Sequence, residues 1–335
     1  LMNTNELITQ AIEGSTLSMD QSEYLFDAIF NGQISEISLA AVVAAMKVRK
    51  EQPEEIAGAI KSMRKYAVSL PITEHVFDTC GTGGDNSRSF NISSAVAIIL
   101  NAMGYAIAKH GNRSVTSKSG SADFYEALNI PVHLSGEEAT RYFNKTKFIF
   151  LFAPNYHPAM KHAAPVRKQL GVRTIFNYLG PLTNPLQPKK QMIGVFHPSF
   201  LEVYSKAAMP LGYERLVLYS STNGMDEISP VHPTTVVEIQ DNNSTTMVIN
   251  PEDFITVQES SSIPYDKTPQ ENATLFIDII QSKKPQALSK LLALNTSLAL
   301  YVLDHSSSIE KNYKDALEAI HSGCVASTVS KLQEV

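Results

Sequence analysis

The sequence predicts an α/β protein: a small N-terminal helical domain, then a larger α/β domain with a mostly parallel central sheet. Three observations carry this. Residues 1 to about 70 show helical patterning alone, short apolar runs alternate with amphipathic segments from residue 75 onward, and the tail is helical again. Alternation of strand and helix implies parallel strands joined by crossover helices. At 335 residues, 43% apolar and 18% charged, the chain has the make-up of an ordinary globular protein with a large core.

The helical part is read first. "LSMDQSEYLFDAIFNG" sets Ser18 three residues before Gln21, a capping-box pattern, and stops at Gly32. "ISLAAVVAAMKVRK" ends in basic residues, as the helix dipole favours. "PEEIAGAIKSMRKYA" begins with Pro53 at a first helical position, and Ile56, Ile60 and Met63 follow at helical spacing, as core or subunit contacts.

From residue 75, "HVFDTC" precedes "ISSAVAIILNAM", "YAIAKH" precedes "SADFYEALN", "FIFLFAP" precedes "HPAMKHAAPVRKQLG", and "QMIGVFHP" precedes "SFLEVYSKAAMPLG". "ERLVLYS" adds a further short apolar run. Right-handed crossovers put the loops that follow these strands along one sheet edge, where ligands bind. "TVVEIQDNNSTTMVIN" reads as an antiparallel hairpin around Asp241, Asn242 and Asn243. "KPQALSKLLALNTSLALYVL" and "YKDALEAIHSG" close the chain as helices.

Several classes are set aside by composition. A net charge of −5 argues against a sequence-wide nucleic-acid footprint. Cys80 and Cys324 cannot alone make a structural zinc site and signal no disulfide framework, which suits a reducing cytosol. "LMNTNELITQ" lacks the basic and apolar regions of a signal peptide, and no apolar run approaches the roughly 18 residues needed to span a bilayer. The expectation is a cytoplasmic protein without membrane or nucleic-acid partners.

Four loop clusters carry chemistry. Gly81-Thr82-Gly83-Gly84-Asp85 lies between the first strand and its helix, where glycines let backbone approach a ligand. Such a turn suits a phosphate cradle, with Asn91, Ser93 and Ser94 at the next helix start as donors, and equally suits a tight corner with ordinary caps. It matches neither GxxxxGK[ST] nor GxGxxG. The second cluster, "KHGNRSVTSKSGSADFYEAL", brings Lys109, Arg113 and Lys118 together with hydroxyls of Ser114, Thr116, Ser117, Ser119, Ser121 and Tyr125. That mixture suits a small polyanion, or else a solvated loop. His110 reads as structural rather than as a base.

The third cluster is "SSTNGMDEISP". A regular strand would point Asp226 and Glu227 to opposite faces, but an irregular backbone could turn both to one ion. Oxygen ligands alone suit Mg²⁺. The fourth, "APVRKQLGVRTIFNYLGPLTNP", contains Arg167 and Arg173, either carboxylate anchors or helix-surface ion pairs.

Taken in order, GTGGD at 81–85, KHGNRS at 109–114, "RTIFNYLGPLTNP" and "MDEIS" at 225–229 resemble the anthranilate phosphoribosyltransferase family over nearly the whole chain. The resemblance implies a fold of nucleoside phosphorylase/phosphoribosyltransferase type. The helical domain is then 1–72, joined by a return segment near 160–187, and the α/β domain is 73–335. It implies transfer of the 5-phosphoribosyl group from 5-phosphoribosyl 1-diphosphate to anthranilate with Mg²⁺, two ions per subunit, in tryptophan biosynthesis. A homodimer through the helical domains is also implied.

By resemblance, the phosphoribosyl diphosphate site comprises Gly81, Gly84, Asp85, Ser89, Asn91, Ile92, Ser93, Ser94, Lys109, His110, Gly111, Asn112, Arg113, Ser114, Val115, Thr116, Ser117 and Ser121. Gly81, Asn112 and Arg167 match anthranilate contacts. Ser93 matches a ligand of one Mg²⁺, Asp226 of the second, and Glu227 of both. No residue is assigned as an acid or base. The chain departs from the family pattern at Ser94, where threonine is commoner, in "QSKKPQALSKLLALN" and in "SPVHPTTV". A pyrimidine nucleoside phosphorylase would carry a KHSTGG-like loop, and Lys109-His110-Gly111-Asn112 favours the transferase. A non-catalytic nucleic-acid-binding relative would show eroded motifs and a basic surface.

Overall fold

The computed structural model describes residues 2–85, 87–114 and 118–334. The chain divides into two compact units, one of residues 1–69, 153–187 and 202–212, the other of 70–152, 188–201 and 213–335.

The first unit is helical. Its helices include α1 (Thr4–Ile12), α2 (Met19–Phe30), α3 (Glu36–Arg49) and α4 (Pro53–Lys65). The capping box of Ser18 and Gln21 opens α2, and Pro53 starts α4. Leu25, Phe26, Ile29, Ile56, Ile60 and Met63 are buried at helical spacing between α2 and α4. Gly58 permits their close approach, since a Cβ there would lie 2.7 Å from Ser22 Cβ. Glu55 is fully buried yet satisfied: Leu17 N (3.0 Å) and Gln52 N (2.9 Å) donate to it, and Arg49 pairs with it.

The second unit holds a seven-stranded sheet. Its strands are β1 (Phe77–Gly81), β2 (Ile107–Gly111), β3 (Phe148–Phe152), β4 (Lys190–Gly194), β5 (Arg215–Ser221), β6 (Thr234–Gln240) and β7 (Asn243–Ile249). The order is β3-β2-β1-β4-β5-β6-β7. The first five are parallel, and β6 and β7 add on antiparallel. Asp241 and Asn242 turn the hairpin with φ of 51° and 60°, the left-handed conformation that a two-residue connection requires.

Helix α5 (Ile92–Ala102) packs on β1 and β2, and the 16-residue helix Ala287–Val302 packs on α5, β4 and β5. Both are apolar on nearly every face, which their burial explains. The strands have short, fully buried runs such as Phe148–Phe152.

Two differences from the sequence reading stand out. Taken alone, the strand–helix alternation puts the segments after β3 and β4 on the sheet, whereas residues 153–187 and 202–212 group with the helical unit; a return segment near 160–187 is what the family resemblance implies. Alternation reports local periodicity and not which surface a helix covers. Helices α6 (Ser121–Ala127) and α7 (Gly136–Thr146) follow β2, whereas the sequence pattern predicts only the first. Helices Pro269–Gln281 and Cys324–Gln333 are likewise additional.

Candidate active site

Strand order reverses direction about β1: β2 and β3 lie to one side, β4 and β5 to the other. The carboxyl ends of β1 and β4 therefore flank a switch point, where open parallel sheets bind ligands. Gly81 and Gly194 are paired across these ends. A Cβ on Gly81 would meet the Asp226 carboxylate, and one on Gly194 would overlap the Asp226 carbonyl. The two glycines make room for the acidic loop.

Beyond Gly81, Gly83 and Gly84 take φ of 67° and 69°. The turn so formed presents Gly83 N to Asp226 Oδ2 at 2.7 Å. Asp85 spans two segments: Oδ1 accepts from Ser87 N at 3.1 Å and Oδ2 from Asp226 N at 3.3 Å. Its carboxylate thus ties the glycine turn to the acidic loop.

The irregular backbone of that loop is held from beneath. Ser221 Oγ donates to Glu227 O at 2.8 Å and accepts from Ser229 N at 2.9 Å. Buried Asn295 accepts from Ile228 N at 2.9 Å and donates to Ile228 O at 3.3 Å. Glu227 Oε1 accepts from Ser93 N and Oε2 from the Tyr219 hydroxyl, each at 3.2 Å. Glu227 is thereby brought to Ser93, and Asp226 to the glycine turn.

Lys109, 2% exposed, completes the cluster from β2. Its Nζ donates to Thr79 O and to Ser93 Oγ, the latter at 3.2 Å. Thr79 Oγ1 in turn donates to Ser93 O at 2.8 Å. Burial, then the charges of Asp85 and Glu227, raises Asp226 well above the ordinary carboxylate range. Burial raises Glu227 as well, while Lys109 and Ser93 N pull it back.

Two buried carboxylates, Asp226 and Glu227, lie beside half-buried Asp85, and their mutual repulsion favours binding of a cation. The donors are all oxygen: two carboxylates and a hydroxyl. That set fits Mg²⁺, which takes one or two carboxylates and fills its remaining positions from water or substrate.

The other expected residues take varied places. Asn91 does not cap α5; its amide donates to Ser119 O (3.1 Å) and Gly120 O (3.3 Å), and its carbonyl accepts from Ser119 Oγ (2.7 Å) and Asn272 Nδ2 (2.8 Å). Ser89 N donates to Ser87 Oγ at 3.3 Å, and Ile92 and Ser94 are buried in the first turn of α5. His110 contributes its backbone, N–H to Asp78 Oδ1 at 3.2 Å. Gly111 ends β2, and Asn112 O accepts from Ser121 Oγ at 3.1 Å.

Arg113 turns elsewhere: its guanidinium pairs with Asp123 at 2.8 Å and Glu126 at 2.6 Å on α6. Those two carboxylates hold it well above its ordinary range. Ser114 N donates to Asp123 Oδ2 at 3.3 Å. Val115, Thr116 and Ser117 lie outside the described residues. Lys118 pairs with Asp266 at 2.8 Å. Arg167 belongs to the helical unit, its guanidinium 5.8 Å from the Phe176 ring centroid.

The sequence reading misses Thr79, Gly194, Tyr219 and Asn295. Only Gly194 leaves a local trace, a glycine inside an apolar strand, which signals close backbone approach. A cavity of about 370 Å³ also opens beside Asp85, lined by Ser87, Met225, Ser229, His232 and Tyr265 among others.

Residues 5–67 match a family described as "Glycosyl transferase family, helical bundle domain", and residues 73–326 match "Glycosyl transferase family, a/b domain". The anthranilate phosphoribosyltransferase of Halalkalibacterium halodurans is 39% identical over 333 residues, covering 98% of this chain and 96% of the relative. That of Ignicoccus hospitalis is 38% identical over 335 residues, covering 100% and 97%. The crystal structure of the Thermus thermophilus anthranilate phosphoribosyltransferase superposes with a TM-score of 0.87 at 32% identity, covering 98% of this chain and 99% of that one. The Saccharomyces cerevisiae enzyme in complex with PRPP and Mg gives 0.87 at 26% identity, covering 99% and 97%.

Proposed function

The chain belongs to the anthranilate phosphoribosyltransferase family, and from that premise we propose how its residues divide the work of the reaction. It transfers the 5-phosphoribosyl group from 5-phosphoribosyl 1-diphosphate to anthranilate, giving N-(5-phosphoribosyl)anthranilate and diphosphate, in tryptophan biosynthesis. The observation that supports this assignment of roles best is the convergence of half-buried Ser93 with buried Lys109, Asp226 and Glu227 at the sheet's switch point.

The bond from ribose C1 to the diphosphate oxygen breaks, positive charge develops on the sugar ring, and the aniline nitrogen of anthranilate bonds to C1 and releases one of its protons to solvent. The diphosphate keeps the bonding electron pair, so negative charge grows on it. Lys109 meets that charge; Thr79 O and Ser93 Oγ fix its ammonium, so no reorganisation is needed as the bond breaks.

Ser93 and Glu227 would hold one Mg²⁺, and Asp226 with Glu227 a second; ions held there would supply positive charge to the leaving diphosphate. Asp85 does not face the diphosphate as a bare carboxylate. It clamps Asp226 N and Ser87 N, which positions the glycine turn. Gly81, Gly84, Ser89, Asn91 to Ser94, Lys109 to Asn112, Ser114 and Ser121 would form the donor site, while the Arg113 guanidinium is engaged by Asp123 and Glu126. Gly81, Asn112 and Arg167 each match a family contact to anthranilate, Arg167 as the partner of its carboxylate.

The enzyme works in the cytoplasm as a homodimer joined through its helical domains. The exposed apolar side chains of Ile12 on α1 and of Ile37 and Val48 on α3 support that interface, with Ile37 84% and Val48 86% exposed. No helix of the described residues is long and apolar enough to cross a membrane.

Diphosphate release tests the reading. Protein with both substrates and Mg²⁺ should release one diphosphate for each anthranilate consumed. Phosphorolysis of uridine or thymidine, without diphosphate release, would replace it with the nucleoside phosphorylase activity.

A further inference from the structure

Gly81, Gly194 and Tyr219 form one row across the sheet, Gly81 paired with Gly194 and Gly194 with Tyr219. Register partners in adjacent parallel strands project to the same face. The first two members lack side chains and so admit Asp226. The third carries a phenol whose hydroxyl donates to Glu227 Oε2 at 3.2 Å. One row of the sheet thus receives both neighbouring acids, one by vacancy and one by a donor.

Tyr219 is fully buried, and Val236 of β6 flanks it on its other side. The ring has little freedom, so its hydroxyl is a fixed point. Ser93 N, at the start of α5, holds the opposite oxygen of the same carboxylate. Donors from two separate elements therefore grip Glu227, leaving its remaining lone pairs in set directions. Groups that orient a metal-ligating side chain in this way typically matter 10–100-fold for metal affinity or activity.

We propose that Tyr219 is a positioning residue, which orients the Glu227 carboxylate for the divalent cation that accompanies the phosphoribosyl diphosphate. The inference rests on the reading of Glu227 as a metal ligand. Tyr219 touches neither substrate nor reacting atoms in this role; it acts through Glu227 alone.

The test is direct metal binding without turnover. Mn²⁺ is titrated into the full-length protein with saturating 5-phosphoribosyl 1-diphosphate and no anthranilate, and bound ion is followed by electron paramagnetic resonance. Tyr219→Phe should bind Mn²⁺ about tenfold more weakly, with an altered bound-ion spectrum. Tyr142→Phe, which removes another buried hydroxyl bonded to Leu332 O at 2.7 Å, should bind as wild type does. Thermal unfolding of the ligand-free proteins controls for a general loosening, expected to be alike in the two variants.

Wild-type affinity and spectrum in Tyr219→Phe would overturn the inference and leave Glu227 as a ligand. Equal weakening in Tyr142→Phe would also overturn it, as a generic effect of lost packing. Absence of donor-dependent Mn²⁺ binding in the wild type would overturn the ligand assignment and the inference together.

Discussion

The α-carbon of Gly194 faces the backbone carbonyl of Asp226 so closely that any Cβ at that position would overlap the oxygen. The acidic loop therefore rests directly on the carboxyl end of β4. Gly194→Ala should lift the loop and displace Asp226 and Glu227 together. Misplacement on the scale of 1 Å costs catalysis about 100-fold, so kcat/KM should fall by that order while circular dichroism stays native. Activity within a few-fold of wild type would show that the loop does not need this contact.

Arg167 is the expected anchor of the acceptor's carboxylate. Burial pulls its guanidinium below the usual arginine range, although arginine at any ordinary pH remains charged. Removing a hydrogen bond to a charged group costs about 1.5–3 kcal/mol, roughly 10- to 150-fold in affinity. Arg167→Ala should raise the KM for anthranilate by that factor and leave the KM for the phosphoribosyl donor nearly unchanged. An unaltered anthranilate KM would remove Arg167 from the acceptor site.

Asp226→Asn keeps an oxygen that can accept from Gly83 N, a bond of 2.7 Å in the native protein, but removes the charge. The Mg²⁺ concentration giving half-maximal rate should rise about tenfold or more. Superimposable Mg²⁺ titrations of variant and wild type would contradict a metal role for this carboxylate.

His157 in the helical unit makes stability depend on pH. Burial depresses its imidazole from 6.5 to about 4, against a smaller opposing effect of the Thr183 backbone. In the unfolded chain it takes up a proton near 6.5, and in the folded protein only near 4, so acid favours unfolding. The stabilisation is complete above 6.5, declines as pH falls through that window, and is lost below 4. At about 1.4 kcal/mol for each pH unit of displacement, it amounts to roughly 3 kcal/mol. Urea unfolding from pH 8 to pH 4 should show the decline, and His157→Gln should flatten it; an unchanged slope in the variant would assign the acid sensitivity elsewhere.

What the sequence makes legible is what local chemistry decides. Ser18 and Gln21 mark a helix start because the capping box is closed within four residues. Asp241 and Asn242 mark the hairpin because they tolerate positive φ. The glycine turn and the acid pair stand at strand ends, so topology alone takes them to one edge. Helix α7 escapes notice although Ala139, Tyr142, Phe143 and Thr146 repeat at helical spacing, because charged and polar residues separate them.

The remaining site residues depend on register. Tyr219 reaches Glu227 only because β5 pairs with β4 so that Tyr219 stands beside Gly194. Asn295 grips Ile228 from a helix 67 residues away. Arg113 shows the converse: its motif points to the ligand loop, yet Asp123 and Glu126 of α6 engage its guanidinium. Sequence spacing records no such competition between partners.

The central claim is that the Ser93, Asp226 and Glu227 cluster supports a magnesium-dependent phosphoribosyl transfer to anthranilate. The most direct measurement follows anthranilate fluorescence in purified protein with 5-phosphoribosyl 1-diphosphate and Mg²⁺, then with excess EDTA, then with Mg²⁺ restored. Fluorescence should fall, stop falling on chelation and resume its fall on re-addition. No loss at all, or a loss that chelation leaves undiminished, would contradict it.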